Sequence, residues 1–209
     1  MTDFLGYLGL SLILASGPVY LARRLGASSQ KIAVCLLVCL CVWLIPWTGQ
    51  SPVFYIRGVL GDISATTWAL VALFYGPMLL FPVKQYYPVR GSAGLMVLAM
   101  LIPLYASTLG YWHYDLYAWG YDPTWMLPAT GLMMLWAWYA ERRLALAWLC
   151  GVACFAMGWL PGRNLWDALF DPVLAVGSFW VVGEAAISEL LRRTVSQPEH
   201  QAQPFAKAA

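Results

Sequence analysis

Long apolar runs alternate with short polar segments along almost the whole chain. The apolar runs cover residues 3–21, 31–48, 65–83, 92–111, 124–140, 144–160 and 172–191. A helix needs about 20 apolar residues to cross the hydrocarbon core of a bilayer. The fifth and sixth runs are shorter, but their tryptophan and tyrosine residues can extend a helix into the headgroup zone. The pattern therefore predicts an all-α fold, a polytopic membrane helical bundle of seven transmembrane helices.

The composition supports a membrane protein and a single domain. Of the 209 residues, 61% are hydrophobic and 11% are charged, whereas about 25% of the residues in soluble domains are charged. The charged residues lie in short clusters between the apolar runs, so no segment could form a separate water-soluble domain. We predict a seven-helix transmembrane domain over residues 1–193. A short disordered cytoplasmic tail, rich in Gln, Pro and Ala, is predicted over residues 194–209.

The distribution of lysine and arginine predicts the orientation, because cationic residues near helix ends stay on the cytoplasmic side. With the N-terminus outside, only Arg57 and Arg163 lie on the outer side. The cytoplasmic side then holds Arg23, Arg24, Lys31, Lys84, Arg90, Arg142, Arg143, Arg192, Arg193 and Lys207. The chain is therefore predicted to be a multi-pass protein of a bacterial inner (cytoplasmic) membrane, with its C-terminus in the cytoplasm.

Several cofactor classes are excluded because their ligands are missing. The two histidines, His113 and His200, fall in an outer loop and in the tail, so intramembrane haem and multi-histidine iron centres have no ligands. The last predicted helix has no lysine to carry retinal. The five cysteines lie inside predicted spans without a histidine, which favours packing over metal binding. We expect no cofactor and no metal outside the enzyme hypothesis below.

Phosphate-binding loops, zinc-binding His-Glu patterns and serine elbows do not occur in the sequence. The net charge is +2, and the cytoplasmic cations are accounted for by the orientation. No nucleic-acid partner is therefore predicted, and the expected surroundings are the lipid bilayer and another integral membrane protein or a lipid-linked substrate.

Polar residues concentrate on the predicted outer face. They are Arg57, Asp62, Arg163, Asn164, Asp167 and Asp171. If residues 163–171 are helical, Arg163, Asp167 and Asp171 share one face. The apolar residues between them would form a second face lying in the membrane interface, as in an amphipathic helix.

These residues permit a structural and a catalytic interpretation. In the structural one, Arg163 pairs with Asp167, Arg57 pairs with Asp62 or another acid, and Asp171 caps the last helix ahead of its proline. Asp122, which also precedes a proline, is predicted to cap the fifth helix, and Asp62 or Ser64 the third. In the catalytic one, Asp167 and Asp171 hold Mg²⁺ while Arg57 and Arg163 bind the phosphate oxygens of a lipid.

A third interpretation is recognition of a sugar or of a partner protein. The loop over residues 111–125 carries eight aromatic residues, counting His113, and flat rings beside carboxylates suit both kinds of ligand. The candidate binding residues are Asp62, Trp112, His113, Asp115, Trp119 and Asn164. The alternative is an aromatic belt at the headgroup level.

Glu184 is the one carboxylate well inside a predicted span, and an intramembrane acid is a candidate for proton coupling. Because no second acid or lysine accompanies it in another span, transport is only an alternative. The sequence predicts an integral inner-membrane accessory subunit or scaffold, working with a larger envelope enzyme or transporter such as one that handles lipid-linked sugars. The alternatives are an enzyme acting on a lipid phosphate or diphosphate at the outer leaflet, and a small proton-coupled transporter.

Overall fold

The computed structural model describes residues 2–47, 49–80, 90–160 and 162–196, and within these ranges the chain is helical with no strand. The helices are α1 (Thr2–Arg24), α2 (Ser29–Leu44), α3 (Pro52–Leu60), α4 (Ala65–Leu80), α5 (Gly91–Thr108), α6 (Pro123–Ala140), α7 (Arg142–Ala156), α8 (Leu165–Leu169) and α9 (Pro172–Ser196), with a short 3₁₀ turn at Ala118–Tyr121. The predicted all-α fold is confirmed. Seven of these helices, α1, α2, α4, α5, α6, α7 and α9, occupy the seven predicted segments.

Three helical stretches are long and apolar enough to cross a membrane by length and composition, among the residues described. They are Phe4–Arg24, Gly91–Thr108 and Pro172–Thr194, and the shorter apolar helices include Ser29–Leu44 and Ala65–Tyr75. The chain is therefore a helical protein of the membrane-associated type.

Parts of the predicted topology lie outside the described residues. Lys84 falls in the undescribed range 81–89, and Lys207 with most of the predicted tail falls in 197–209. The last helix continues to Ser196, past the predicted domain end at residue 193.

Glycines allow α5 and α9 to pack closely along each other. A Cβ atom added at Gly91 would lie 2.7 Å from the Cβ of Ala185, and one added at Gly94 would lie 2.9 Å from the carbonyl oxygen of Ser178. Small residues at such positions let helix backbones approach, which is the usual way that helices associate in membranes. This contact ties the last helix to the middle of the chain.

The largest core cluster is built from α5 to α9 around Trp148, which is 1% exposed. The Trp148 ring meets the Phe170 ring edge-to-face at 6.1 Å, an arrangement that aromatic pairs favour. Two smaller clusters are centred on Val19 and Val53, and they join α1 to α2, α4 and α3.

The predicted amphipathic interface helix over residues 163–171 is wrong. The helical part is only Leu165–Leu169, and the chain is extended at Phe170 (φ −135°, ψ 144°). The residue before a proline is held away from helical geometry, so the turn cannot continue through Asp171 into Pro172. Its apolar side chains are buried in the core instead of facing lipid; these are Leu165, Trp166, Leu169 and Phe170.

Candidate functional site

One end of the bundle contains a cavity of about 800 Å³ that we call the acidic cavity, because Asp62, Asp167 and Asp171 all line it. Its wall combines these acids with the aromatic side chains Trp68, Tyr105, Tyr117, Trp159, Trp166 and Phe170, and with Leu104, Ile63 and two cysteines, Cys150 and Cys154. Cavities of this size, mainly apolar with a few polar groups, are typical of small-molecule sites.

Asp171 is a buried double cap. Its side chain is 4% exposed, and the two carboxylate oxygens accept one backbone N–H each: Oδ1 from Leu174 and Oδ2 from Ser64, both at 2.6 Å. The predicted cap of the last helix is therefore confirmed. The bond to Ser64, at the start of α4, was not predicted. Because both oxygens are engaged by backbone donors, the carboxylate is held in a fixed position.

Asp167 reaches the cavity from α8, and its carboxylate is tied to the aromatic loop. Its Oδ1 accepts the hydroxyl hydrogen of Tyr117 at 2.8 Å. Burial raises the pKa of Tyr117 well above its ordinary value, and the hydrogen bond to Asp167 raises it further. Tyr117 therefore stays a neutral hydrogen-bond donor throughout the physiological pH range.

Arg57 and Asp62 form the ion pair that the structural interpretation predicted. Arg57 Nε donates to Asp62 Oδ1 at 2.7 Å, and the guanidinium carbon lies 4.9 Å from the centre of the Tyr7 ring. The Arg57 side chain is 17% exposed and that of Asp62 63%. Gly61, with φ +76°, turns the chain from α3 into Asp62, a conformation suited to glycine.

Ser64, not Asp62, caps α4 with its side chain. The Ser64 hydroxyl accepts the backbone N–H of Thr67 at 3.1 Å. Of the two caps left open by the sequence, Ser64 is the one observed, since the Asp62 carboxylate is directed to Arg57.

Arg163 does not pair with Asp167 within the described part of the chain, so this predicted ion pair is wrong. The reason is that α8 begins after Asn164. Arg163 is therefore outside the helix, and the four-residue spacing no longer brings the two side chains to one face. Of the four candidate catalytic residues, Asp167 and Asp171 line the acidic cavity, Arg57 borders it through Asp62, and Arg163 is exposed beside it.

Asn164 holds the aromatic loop against α8. It is fully buried, its Oδ1 accepts the Trp166 N–H at 2.9 Å, and its Nδ2 donates to the Tyr117 carbonyl at 3.1 Å. The indole N–H of Trp166 donates to the Leu116 carbonyl at 2.8 Å. Gly120 lies against this amide so closely that an added Cβ would be 1.9 Å from Asn164 Oδ1. Both ends of the Asn164 amide are thus used inside the protein.

The other candidate binding residues in the loop point to a different surface. Trp112 and Trp119 are 51% and 55% exposed, and His113 and Asp115 are exposed as well. The Asp115 carboxylate accepts the backbone N–H of Ala118 at 3.1 Å. None of these four lines the acidic cavity as described, where the loop contributes Tyr117.

Asp122 caps α6 as predicted. Its Oδ1 accepts the Thr124 hydroxyl hydrogen at 2.7 Å and the Thr124 backbone N–H at 3.2 Å. These hydrogen bonds, that of the hydroxyl first, lower the pKa of the Asp122 carboxyl below its ordinary value.

Among the described residues, no three His, Cys, Asp or Glu side chains come close enough to hold one metal ion. Tyr105, Tyr117 and the two cysteines were not predicted as cavity residues. Tyr117 alone had a signal, since it lies in the aromatic loop.

A second cavity, of about 930 Å³, lies at the opposite end of α5, α6, α7 and α9, and we call it the arginine cavity. Three arginines line it, namely Arg90, Arg142 and Arg143, together with Glu141, Glu184, Trp138 and Tyr139. Glu184, which the sequence placed inside a span, is exposed and faces this cavity.

Comparison with protein-family models gave no match, and comparisons with curated proteins and with solved structures gave no significant match. No activity can therefore be inferred for this chain from a protein family.

Proposed function

We propose that the chain crosses a bacterial cytoplasmic membrane seven times, with its N-terminus outside and its C-terminus in the cytoplasm. The crossing helices are α1, α2, α4, α5, α6, α7 and α9. The two cavities support this proposal because they separate the helix ends. The acidic cavity contains the start of α1, α4 and α9 and the end of α5 and α7, whereas the arginine cavity contains the opposite ends of α5 and α7 and a later part of α9, around Glu184.

Cysteine labelling tests the topology. In a cysteine-free background, cysteine at Tyr114 should react with a membrane-impermeant maleimide in intact cells, and cysteine at Arg24 should react only after the membrane is opened. Labelling of both positions in intact cells, or of neither, would contradict the proposed orientation.

We propose that the protein is an integral accessory subunit that binds the head of a lipid-linked sugar in the acidic cavity and presents it to a larger envelope enzyme or transporter. The observation that carries this proposal is the composition of the cavity wall. Asp62 and Asp167 offer carboxylate oxygens to sugar hydroxyls, while Trp68 and Trp159 offer flat rings and apolar surface to an amphiphile.

The exposed aromatic residues next to the cavity support a docking role. Six aromatic residues between positions 111 and 125 are more than half exposed: Tyr111, Trp112, Tyr114, Trp119, Tyr121 and, at the start of α6, Trp125. Tyrosine and tryptophan are enriched at protein interfaces because they combine a large apolar area with a polar atom. The sugar site and the partner surface would then adjoin, which suits delivery of a bound lipid.

The contacts of Asp171 give more support to binding than to catalysis. Its two oxygens are engaged by the backbone N–H groups of Ser64 and Leu174, so it serves as a cap on two helices. The Asp167 carboxylate retains an oxygen that no described residue hydrogen-bonds. Hydrogen bonding to a ligand hydroxyl is the role that this oxygen can fill.

Native mass spectrometry of the full chain, purified from its own membrane in mild detergent, tests the proposal. Wild-type protein should retain a glycosylated lipid. The Asp167→Asn variant should retain about tenfold less of this lipid, because a charged hydrogen bond is replaced by a weaker one. Asp122→Asn is the matched control, since asparagine caps a helix as well as aspartate does. Retention that is equal in both variants would refute the sugar site.

The lipid-phosphate enzyme remains the second candidate, because Asp62, Asp167 and Asp171 line one cavity. This enzyme would require Mg²⁺. Release of phosphate from a lipid phosphate should therefore stop when the metal is chelated, and it should be absent in the Asp167→Asn variant. The proton-coupled transporter rests on Glu184 alone, and uptake unchanged in Glu184→Gln would contradict it.

A further inference from the structure

We propose that the arginine cavity binds the phosphate group of an anionic phospholipid, at the end of the bundle opposite the acidic cavity. Four helices contribute to it: the first residues of α5 and α7, the last residues of α6, and α9 around Glu184. Its volume of about 930 Å³ lies within the range of small-molecule sites. Basic pockets between membrane helices on the cytoplasmic side are typical sites for anionic lipid heads.

The charges favour an anion. Arg90, Arg142 and Arg143 line the cavity against two carboxylates, Glu141 and Glu184. The Glu141 carboxylate already accepts the backbone N–H of Arg143 at 3.4 Å, as the cap of α7. Glu184 has no capping role, and the wall as a whole carries three positive charges against two negative ones.

The next charged residues along α9 form ion pairs with one another. Glu189 forms ion pairs with Arg192 and with Arg193, three and four residues further along the same helix face. These three side chains lie outside the described cavity wall and together carry a net charge of +1, so they add no excess negative charge beside it. The amino ends of α5 and α7 add partial positive charge at the same place.

The aromatic residues at the cavity favour a lipid over a soluble phosphate. The Arg142 guanidinium lies 5.7 Å from the centre of the Trp138 ring, and Tyr139 is 86% exposed beside it. Tryptophan and tyrosine side chains of this kind lie at the headgroup level of a bilayer. Exposed apolar side chains continue along the helices, Leu135 on α6 at 63% and Trp180 on α9 at 74%, where acyl chains would run.

The experiment measures lipid retention on the full chain by native mass spectrometry, with phosphatidylglycerol and phosphatidylcholine of identical acyl chains as probes. Wild-type protein should retain phosphatidylglycerol at least about fivefold better. Arg142→Gln should lower its retention about fivefold, the effect of one arginine near a lipid headgroup. Arg24→Gln, which removes the same charge outside the cavity wall, should leave it unchanged.

A substitution of opposite sign separates binding from damage to the fold. Glu184→Gln removes the carboxylate that repels a phosphate, so it should raise phosphatidylglycerol retention about two- to fivefold. Misfolding would lower retention in every variant. Equal retention of the two lipids, or equal retention by the Arg142 and Arg24 variants, would overturn the proposal, as would displacement of the lipid by an equal concentration of inorganic phosphate.

The inference uses the proposed topology only to say which leaflet supplies the lipid. Retention in detergent does not depend on orientation or on the ligand of the acidic cavity. A reversed orientation in the cysteine labelling, or loss of the glycolipid result, would therefore leave this test intact.

Discussion

Replacing Asp171 by alanine should destabilise the protein strongly, because one side chain caps two helices. It removes two charged hydrogen bonds, to the N–H groups of Ser64 and Leu174, each 2.6 Å long and buried. Hydrogen bonds to charged groups contribute about 1.5–3 kcal/mol each, so the expected loss in the free energy of unfolding is about 3–6 kcal/mol. Asp171→Asn keeps one acceptor oxygen and should lose about half as much.

The assay is reversible unfolding of the full chain in mixed micelles by added dodecyl sulfate, followed by tryptophan fluorescence. Asp122→Ala is the comparison, because that aspartate caps α6 at the surface and should cost about 1 kcal/mol. If Asp171→Ala unfolds within about 1 kcal/mol of the wild type, the double cap does not stabilise the fold. An Asp171→Asn variant that is fully stable but inactive toward a lipid phosphate would favour the enzyme hypothesis instead.

Three further predictions use the contacts of the aromatic loop. Gly120→Ala should cost about 1–3 kcal/mol in unfolding free energy, because its Cβ would meet Asn164. The control is Gly131→Ala in α6, whose Cβ would meet nothing within 4 Å and which should be neutral or stabilising. Equal effects of the two substitutions would refute the close packing at Gly120. Asn164→Asp keeps the cap on the Trp166 N–H but loses the donor to the Tyr117 carbonyl, so it should unfold more easily than wild type and less easily than Asn164→Ala. The reverse order of the two variants would contradict the assigned amide orientation. Because the folded pKa of Tyr117 is raised above its unfolded value of about 10, Tyr117 contributes fully to the free energy of unfolding below pH about 10, and this contribution falls above it as the unfolded chain ionises first. Unfolding measurements across that range should show a smaller fall in the free energy of unfolding for Tyr117→Phe than for wild type. An identical fall would argue against the buried phenol.

The helices could be predicted from the sequence because a bilayer-length apolar run is a strong signal. Each of the seven predicted segments holds a helix, yet α3 was missed, and the helix predicted over residues 163–171 is only the shorter α8. Pro52–Leu60 follows Ser51 with a proline at its first position, a good start signal, but at 9 residues it is too short to be recognised as a span. Short helices are fixed by the partners they pack against, and those partners are not encoded locally.

The acidic cavity could be predicted only in part. Asp171 as a cap follows from the Asp-Pro pair, which is a local signal. Its second bond, to Ser64, joins residues 107 positions apart, and the Tyr117–Asp167 bond joins residues 50 positions apart. No spacing rule covers such pairs, because tertiary packing creates them. The Arg163–Asp167 prediction failed for a local reason, since it assumed a helix start that Asn164 sets later.

The distant bonds at the acidic end also set an order of assembly. Synthesis proceeds from the N-terminus, so α4 is made long before Ala168 and Asp171 exist. Until then the Ser64 N–H has no carboxylate, and the Thr66 hydroxyl lacks the Ala168 carbonyl that accepts its hydrogen at 3.2 Å. The start of α4 is therefore completed only when α8 and α9 arrive. A chain that stops before residue 168 would therefore leave both the Ser64 N–H and the Thr66 hydroxyl without these partners.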